Sequence, residues 1–311
     1  MAGVTASDDV LAKEFSTHRG HLIGVAYRLT STISDAEDAV QEAWLRLSAL
    51  DEDRRAGIRD LRGWLTTVVG RICLDRLRSA VARRERYVGP WLPEPIVTPY
   101  GAPGSDDPLE TVVRDEQVRL AALVVLDELT PEQRVAFVLH DAFSVPFGEI
   151  AELLGVTAAT ARQHASRARR AVADAKTPAL ADLAEQRALI ERVTAAIMSG
   201  DMNSVVAALH PDAVLIGDGD GKARTSRRHI VGAGKITRFL AGLLEMYGVH
   251  RLTRGELVLV NGQVGLAVPA VPADGELIRL DRRVTTFDII DGRITRIYDM
   301  CNPDKLTHLP L

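Results

Sequence analysis

The spacing of apolar positions between residues 146 and 172 predicts two short helices joined by a tight turn. Apolar residues recur every three or four positions on both sides of Gly155, which gives each helix one buried face. They are Phe147, Ile150, Ala151 and Leu154 before the turn, and Ala161, Ala165, Ala168 and Val172 after it. Gly155 favours the left-handed conformation that ends a helix, and Thr157 is a preferred cap for the next one.

The outer face of the second helix carries side chains that form hydrogen bonds. These are Thr160, Arg162, Gln163, Ser166, Arg167 and Arg170. Small residues inside and polar residues outside suit a helix that enters the major groove, as in a helix-turn-helix DNA reader. An ordinary surface hairpin of two helices has the same local pattern, so the rest of the chain must decide between them.

Helical spacing also runs through the first 88 or so residues, where no strand is needed. In one predicted helix the buried stripe consists of Ala36, Val40, Ala43, Trp44 and Leu47. The opposite face carries Asp35, Asp38, Gln41 and Glu42. Such an acidic face is either solvated or docks on a basic partner.

Basic residues are concentrated further along the same region. Residues 54–87 contain ten arginines and three acidic residues, whereas residues 101–150 contain three basic and ten acidic residues. The formal charge of the whole chain is only −4, so any attraction to phosphate must come from such local patches. Trp64 lies in the arginine-rich stretch, where it either packs in the core or stacks near unpaired bases.

A segment rich in proline and glycine, residues 87–108, separates the two helical regions. This composition excludes a long helix and predicts an extended or turned linker. The linker carries Trp91, Leu92, Pro93, Glu94 and Pro95. Because exposing a tryptophan and a leucine is unfavourable, we expect this stretch to dock on a protein surface.

The last third of the chain changes from helices to strands. Helical spacing covers residues 180–198 and about 230–246. Asn261-Gly262 and Asp291-Gly292 then stand between apolar runs, which predicts two β-hairpins. Helices followed by a curved antiparallel sheet indicate an α+β cone, a shape that often encloses a pocket.

Polar candidates for such a pocket are His210, Asp218, Asp220, Asp288 and Asp299. No acid and base stand out as a pair, and the Asp-Gly turns explain some of these aspartates without chemistry. Pockets on one fold serve binding as well as catalysis, so the sequence favours binding over an enzymatic role.

At 311 residues and 46 % hydrophobic, the chain is long enough for two or three cores. The N-terminus lacks the order of a secretion signal, and no apolar run reaches the length of a membrane span. Cys73 and Cys301 have no metal or redox spacing. We therefore expect a cytoplasmic protein with reduced core thiols, no membrane contact, no metal and no cofactor.

Three motifs now carry a family resemblance: DAEDAVQEAWLRL, GWLTTVVGRICLDRLR and EIAELLGVTAATARQHASRARR. In this order and spacing they resemble regions 2 and 4 of bacterial extracytoplasmic-function RNA polymerase sigma factors. The resemblance implies that Asp35, Asp38, Gln41 and Glu42 contact core RNA polymerase. It implies that the minus-10 promoter element is bound by Arg54, Arg55, Trp64, Arg71, Asp75, Arg76 and Arg78. The outer face of the helix-turn-helix would bind the minus-35 element. Arg71 stands where the family often has asparagine, so the minus-10 sequence preference does not carry over.

Three further motifs resemble the sigma-factor subgroup that has a C-terminal SnoaL-like domain. They are WLPEP at 91–95, DGDGK at 218–222 and NPDKL at 302–306. The resemblance implies an interdomain regulatory contact formed by the WLPEP residues together with Asp218, Gly219, Asp220, Gly221, Lys222, Asn302, Pro303, Asp304, Lys305 and Leu306. Asp220 replaces a glycine of the subgroup, which changes the expected shape of its loop.

The expected architecture is multidomain, with two all-α sigma domains and a C-terminal α+β SnoaL/NTF2-like cone. Region 2 would occupy residues 1–89, the linker 90–110, the region 4 helix-turn-helix 111–176, and the cone 180–311. The resemblance implies a non-enzymatic alternative sigma factor that binds core RNA polymerase and promoter DNA, with the cone modulating activity in cis and offering a small-molecule site. The alternative is a helix-turn-helix repressor fused to a ligand-binding or enzymatic cone, which would not need the acidic face.

Overall fold

The computed structural model describes residues 2–84, 86–101, 109, 112, 119–174 and 181–309; for 2–8 and 81–84 the description covers the backbone only. The described residues form two compact units. The helical unit contains residues 2–84, 109, 112 and 119–174, and the cone unit contains residues 86–101 and 181–309. The expected boundaries at 110/111, 176 and 180 lie outside the described residues.

The helical unit begins with α1 (Ala2–Thr30), α2 (Ile33–Ser48), α3 (Glu52–Ala56) and α4 (Leu61–Arg84). Helices α1, α2 and α4 pack on one another through the apolar stripes that the sequence predicts. In α2 these residues are Ala36, Val40, Ala43 and Leu47, all buried. Trp44 is only half-buried, and its ring lies 5.1 Å from that of Phe15.

The second part of the helical unit contains α5 (Leu120–Asp127), α6 (Pro131–Phe137), a π-helical turn (Val138–Ala142), α7 (Phe147–Leu154) and α8 (Ala158–Asp174). Gly155 ends α7 with a φ of 69°, and the Thr157 hydroxyl accepts a hydrogen bond from the Thr160 amide at 3.2 Å. Ala161, Ala165 and Ala168 are fully buried. The predicted helix-turn-helix is therefore confirmed in its turn, its cap and its inner face.

Arg134 of α6 joins the two parts of the helical unit. Its side chain is 1 % exposed and forms an ion pair with Asp127. Its Nε donates to the carbonyl oxygen of Arg28 at 2.9 Å, and an Nη donates to Ser31 Oγ at 2.6 Å. A buried guanidinium is unfavourable unless its donors are used, so these bonds fix α6 against the end of α1.

The cone unit contains α9 (Leu183–Ser199), α10 (Met202–Ala208), α11 (Ala233–Tyr247) and α12 (Val249–Leu252). Its strands are β1 (Val97–Pro99), β2 (Leu209–Asp218), β3 (Ile230–Val231), β4 (Glu256–Val260), β5 (Gln263–Val268), β6 (Arg283–Ile290) and β7 (Arg293–Met300). They form one sheet in the order β1-β4-β5-β6-β7-β2-β3. Strands β2 and β7 are parallel, and the other neighbours are antiparallel.

The two predicted hairpin turns are present. Asn261 and Gly262 have φ values of 49° and 79°, and Asp291 and Gly292 have values of 51° and 70°. Both residues of each turn are left-handed, as a two-residue type I′ hairpin requires. These turns set the pairing of β4 with β5 and of β6 with β7.

One helix boundary differs from the sequence prediction. Ile230, the expected start of a helix, lies in β3, which pairs with Val214 and Leu215 of β2. The helix α11 begins only at Ala233, because Gly232 has a φ of 104°, which is incompatible with a helix. Hydrophobic spacing alone does not reveal such a glycine break.

The core of the cone unit lies between α9, α11 and the sheet. Leu189 and Ile190 of α9 and Ile236 of α11 pack against strand residues such as Phe287 and Ile294. This arrangement is the α+β cone that the sequence predicts, but the sheet is mixed and not purely antiparallel, because β2 precedes α11 and lies parallel to β7. Within the described residues, no helix combines the length and the apolar character that crossing a bilayer requires.

Both cysteines are buried and unpaired, one in each unit. Burial raises the pKa of the Cys73 thiol to about 12, which keeps it protonated and unreactive. The expectation of core thiols is met at both positions.

Candidate functional site

The outward face of α8 presents the six polar residues singled out in the sequence. Arg162, Gln163, Arg167 and Arg170 are exposed, and Thr160 and Ser166 are half-buried. The Arg162 guanidinium lies 5.7 Å from the centre of the Phe147 ring, which supports it without using its hydrogen-bond donors. The neighbouring Arg169 instead pairs with Asp141 at 2.7 Å. Arg162 is therefore presented for contact, whereas Arg169 is engaged within the unit.

The acidic face of α2 is partly neutralised by one arginine of α4. Arg76 lies 2.9 Å from Asp35, 3.4 Å from Asp38 and 4.0 Å from Glu42. Glu42 also pairs with Arg46 at 2.6 Å. Asp38 and Gln41 remain exposed. The family resemblance assigned Arg76 to the minus-10 element, but in the structure its side chain lies on the acidic face that was expected to bind core polymerase.

The remaining minus-10 candidates lie on α3 and α4. Arg54 pairs with Asp51 at 3.4 Å, and Arg55 Nε donates to the Leu50 carbonyl at 2.8 Å. Arg71, Asp75 and Arg78 are exposed on α4, and Trp64 is half-buried. A groove between α3, α4 and α7 is lined by Arg54, Trp64, Arg71, Glu149 and Glu152. The side chains of Arg83 and Arg84, at the end of the arginine-rich stretch, lie outside the described residues.

Helix α7 packs directly on the arginine-bearing helix α4. A Cβ atom added at Gly70 would lie 3.0 Å from a methyl of Leu139 and 3.1 Å from a methyl of Leu153. An Nη of Arg71 approaches the carbonyl of Glu152 at 3.5 Å. Arg78 pairs with Glu132 of α6 at 3.0 Å. The surface expected to bind the minus-10 element is therefore covered in part by the helix-turn-helix half of the same unit.

In the cone unit, the linker is held by one buried aspartate. Asp218, at the end of β2, is fully buried. Its carboxylate accepts hydrogen bonds from the Tyr87 hydroxyl, from the Leu92 amide at 2.8 Å and from Lys305 Nζ at 2.7 Å. Its backbone carbonyl accepts from the amides of Cys301 and Asn302. Asp218 therefore connects the linker, through its carboxylate, to the residues that follow β7, through its backbone carbonyl.

Lys305 completes this arrangement, which we call the linker cradle and define by Tyr87, Trp91, Asp218, Asn302 and Lys305. Lys305 Nζ donates to the Leu92 carbonyl and lies 3.2 Å from the centre of the Trp91 ring. Asn302 Nδ2 donates to the Tyr87 hydroxyl at 2.6 Å. Burial and the Asp218 carboxylate raise the pKa of Tyr87, so its hydroxyl stays a donor. An ammonium over an indole face adds a cation–π attraction.

The rest of the linker continues along the cone. Leu92, Pro93, Glu94 and Pro95 are buried. The amide of Ile96 donates to Asn261 Oδ1 at 3.1 Å, and the Asn261 amide donates to the Ile96 carbonyl at 2.8 Å. Residues 97–99 then pair with β4 as the edge strand β1.

The DGDGK loop lies beside the cradle. Asp220 has a φ of 47° and accepts from the Val88 amide at 3.2 Å. Lys222 pairs with Asp220 at 3.0 Å and with Asp304, which belongs to the 3-10 turn Pro303–Lys305. Leu306 follows this turn and is buried. At Gly219 a Cβ would lie 2.4 Å from the Ala223 carbonyl oxygen, so only glycine fits. Gly221 is also left-handed, with a φ of 66°.

The other polar candidates of the cone are separate from one another. His210 is exposed, and Asp288 accepts from the Tyr298 hydroxyl at 2.8 Å. Asp299 accepts from Thr225 at 2.6 Å and from Thr285 at 3.2 Å. Among the described residues, no group of three or more His, Cys, Asp or Glu side chains is placed to hold a metal ion.

Sequence reasoning missed several residues that build these sites. Tyr87 lies four residues before WLPEP and belongs to the cradle, and Asn261 pairs with the linker as well as forming a turn. Arg134 looks like a solvent-facing residue of an amphipathic helix but is buried. The aromatic character of Tyr87, next to a motif that already needs burial, is the one signal that the sequence offered.

Comparison with known proteins gives matches over nearly the whole chain. Residues 15–83 match the family described as Sigma-70 region 2, and residues 119–172 match Sigma-70, region 4. The ECF RNA polymerase sigma factor SigJ of Mycobacterium tuberculosis is 48 % identical over 302 residues, covering 96 % of this chain and 94 % of that protein. The probable ECF RNA polymerase sigma factor SigI of the same species is 33 % identical over 307 residues, covering 97 % and 96 %. The crystal structure of M. tuberculosis SigJ matches with a TM-score of 0.80 and 45 % identity, covering 96 % of this chain and 99 % of that one.

Proposed function

Since this chain belongs to the extracytoplasmic-function RNA polymerase sigma factors, it acts with RNA polymerase and promoter DNA in transcription initiation, and we propose how its two units divide that task. The helical unit supplies the contacts to polymerase and DNA. The cone unit modulates those contacts in cis by holding the linker.

The polymerase contact is assigned to the exposed part of the acidic face of α2. Asp38 is 64 % exposed and Gln41 is exposed beside it. Glu42 and Asp35 contribute charge but are shared with Arg46 and Arg76. Exposed charges steer and orient a basic partner more than they stabilise a fold. We therefore assign Arg76 to holding this face in place, and not to DNA.

The DNA contacts are assigned to two separate helices. The outer face of α8 binds the minus-35 duplex through its major groove, and Arg162 is the side chain best presented for a base edge. Arg54, Arg55, Trp64, Arg71, Asp75 and Arg78 bind the minus-10 element once its strands separate. An arginine-rich surface with an aromatic ring nearby suits unpaired bases.

These assignments require the helical unit to open. Two promoter elements about 25 base pairs apart are separated by roughly 85 Å along B-form DNA. In the structure α7 and the π-helical turn before it contact α4, with Gly70 against Leu153 of α7 and Leu139 of the turn. The two DNA surfaces therefore engage their elements together only after α7 leaves α4. We therefore infer that the helical unit has a closed form, in which α7 lies on α4, and an open form that binds both elements.

The observation that carries the regulatory role is the burial of the linker in the cone. Residues 86–101 are sixteen residues that would add roughly 55 Å of reach if extended. When they are docked in the cradle, these residues cannot extend, so they span only the fixed distance between their two ends. Docking of the linker therefore limits how far the two halves of the helical unit can separate, which makes the cone a restraint on promoter binding.

Catalysis by the cone is not part of this proposal. Asp218 and Asp299 use their carboxylates in structural hydrogen bonds, and His210 is exposed and accepts a hydrogen bond from the Asp212 amide at 3.2 Å. We assign the cone a binding and regulatory role, including a site for a small molecule.

The test is in vitro transcription with purified core RNA polymerase on a pool of promoter fragments, with start sites mapped by sequencing. The full chain should produce initiation at defined starts, which a repressor would not do. Tyr87→Phe removes one hydrogen bond to Asp218 and should increase initiation, because the linker is released more often. Tyr247→Phe makes the same chemical change in α11, where the Tyr247 hydroxyl has no hydrogen-bond partner among the described residues, and should leave initiation unchanged. Equal initiation by both variants and the unmodified chain would remove the cone from regulation.

A further inference from the structure

The cone unit contains an apolar cavity that neither the linker nor the DNA surfaces use. Its volume is about 150 Å³, and it is lined by α9, α11 and the sheet. Its apolar wall includes Ile190, Val193, Ile197, Leu266, Phe287 and Ile297. An apolar cavity of this size stays dry and accepts a molecule about as large as one benzene ring.

One end of the cavity is polar. Arg283, Thr285 and Asp299 line it there. The side chains of Arg283 and Asp299 are 5 % and 6 % exposed, and they pair at 3.6 Å. Another nitrogen of Arg283 donates to the Arg224 carbonyl at 3.2 Å. The charge of this arginine is therefore already balanced by a buried carboxylate.

The polar end contains a buried N–H group that makes no hydrogen bond with any described residue. Both oxygens of Asp299 accept, from Thr285 and from Thr225, so the Thr285 hydroxyl proton is used as well. Among the described residues, Nε of Arg283 is buried and has no hydrogen-bond partner. A buried N–H without an acceptor is unfavourable, and an acceptor brought by a guest would remove that cost.

We propose that this cavity is a binding site for a small, uncharged, single-ring molecule that carries one hydrogen-bond acceptor, such as an aryl ketone. The ring fills the apolar wall, and the carbonyl oxygen accepts from Nε of Arg283. A carboxylate guest fits poorly, because Asp299 already neutralises the arginine and repels a second anion. The proposal names the ligand class for the cone site, and it rests on the proposed regulatory function only for its biological use.

The probes are acetophenone, ethylbenzene and benzoate, each titrated into the full chain by isothermal titration calorimetry. Acetophenone should bind with a stoichiometry of one and a Kd of roughly 1 mM or tighter for so few atoms. Ethylbenzene has the same ring without the acceptor and should bind at least about fivefold more weakly. Benzoate should bind more weakly still. Absence of saturable acetophenone binding, or equal binding of ethylbenzene or benzoate, overturns the proposal.

Two neighbouring positions on α9 locate the site. Thr194 lines the cavity, whereas Ala195 is exposed on the other side of the helix. Thr194→Phe should fill the cavity and abolish acetophenone binding, and Ala195→Phe should preserve it. Loss in both variants, or in neither, places the binding elsewhere and contradicts the assignment.

Arg283→Lys tests the donor. Lysine keeps the positive charge beside Asp299 but has no nitrogen at the Nε position, so acetophenone and ethylbenzene should then bind within about twofold of each other. If circular dichroism shows that this variant is unfolded, the ratio of the ethylbenzene and acetophenone dissociation constants on the unmodified chain shows whether a donor in the cavity contributes to binding. All binding is measured without polymerase, so failure here is distinct from failure of the Tyr87→Phe transcription test.

Discussion

Each unit of this protein carries a cluster of charged residues that its sequence marked as functional, and the two clusters differ in exposure. In the cone, the side chains of Lys305 and Asp218 are 6 % and 0 % exposed and hold the backbone of Leu92. In the helical unit, the side chains of Arg76 and Asp38 are 25 % and 64 % exposed. A buried pair is fixed by its geometry, and removing one member leaves an uncompensated charge.

The comparison separates two uses of charge within one chain. The exposed cluster on α2 contributes little to folding, so its charges are available to orient a partner protein. The buried cluster of the cradle is part of the folded cone, and in our proposal it acts on function by holding the linker. Exposure, and not charge or motif, therefore decides whether a substitution should change stability or association.

The largest effect is expected from Lys305→Met. It leaves Asp218 buried without its cation, which should lower the free energy of local opening of residues 86–101 by about 3–5 kcal/mol. Amide hydrogen exchange of Leu92 and Ile96, followed by mass spectrometry, measures that opening. Lys222→Met removes a lysine whose side chain is 46 % exposed and should change the same quantity by about 1 kcal/mol or less. Similar exchange in both variants would show that burial is not what distinguishes the pairs.

A smaller effect is expected from Arg162→Ala, and it should appear in DNA binding. Loss of a base-edge contact should reduce discrimination between minus-35 sequences by about 1–3 kcal/mol, whereas loss of a phosphate contact should weaken all sequences alike. Competition binding to a minus-35 library measures the difference. Arg169→Ala, which removes a side chain paired with Asp141, serves as the control with the same charge change. If Arg169→Ala changes the sequence profile and Arg162→Ala does not, the presented face of α8 is assigned wrongly.

A still smaller effect is expected from Asp38→Lys. Reversing this exposed charge should weaken binding to core RNA polymerase by about 1 kcal/mol, or roughly fivefold, without changing the urea midpoint. Fluorescence anisotropy of the labelled chain titrated with core enzyme measures the affinity. Glu14→Lys makes the same charge change at an exposed position of α1 and should have no effect. Equal weakening by both variants would indicate a general charge effect and no specific acidic face.

At neutral pH the smallest effect is expected at His21 in the helical unit, and this effect grows as the pH falls. Burial, followed by the positive charge of Arg62, lowers the pKa of His21 to about 4, so the folded state keeps this ring neutral. In the unfolded chain His21 takes up a proton below about pH 6.5, whereas in the folded state it does so only near pH 4. Proton binding therefore favours the unfolded chain, and the free energy of unfolding falls as the pH drops from 6.5 to 4. His21→Gln should therefore show a shallower fall of the unfolding free energy over that range. Identical slopes in urea titrations would contradict the assignment.

Local patterns in the sequence were sufficient for several elements. The left-handed pair Asn261-Gly262 defines a hairpin wherever it stands between apolar runs, because few residues adopt that turn. Alanines at helical spacing defined the inner face of α8. Such features depend on neighbours in the chain, and sequence reasoning reaches them directly.

Contacts between distant segments were beyond such reasoning. Tyr87 and Asp218 are 131 positions apart, and only the docked linker brings them together. Arg76 and Asp35 belong to motifs assigned to different partners, yet the packing of α2 against α4 pairs them. The family resemblance named the cradle motifs, but the roles of the Lys305 ammonium and the Trp91 ring follow only from three-dimensional packing.

Strand β1 also covers the outer edge of β4. If the linker undocks, the unpaired amides and carbonyls of β4 become a template on which another extended segment can add. If release from the cradle frees the DNA-binding helices, as we propose, it also exposes an edge at which molecules can self-associate. Rapid capture by polymerase would keep such free molecules scarce, so a variant with a permanently undocked linker should form oligomers whenever polymerase is limiting.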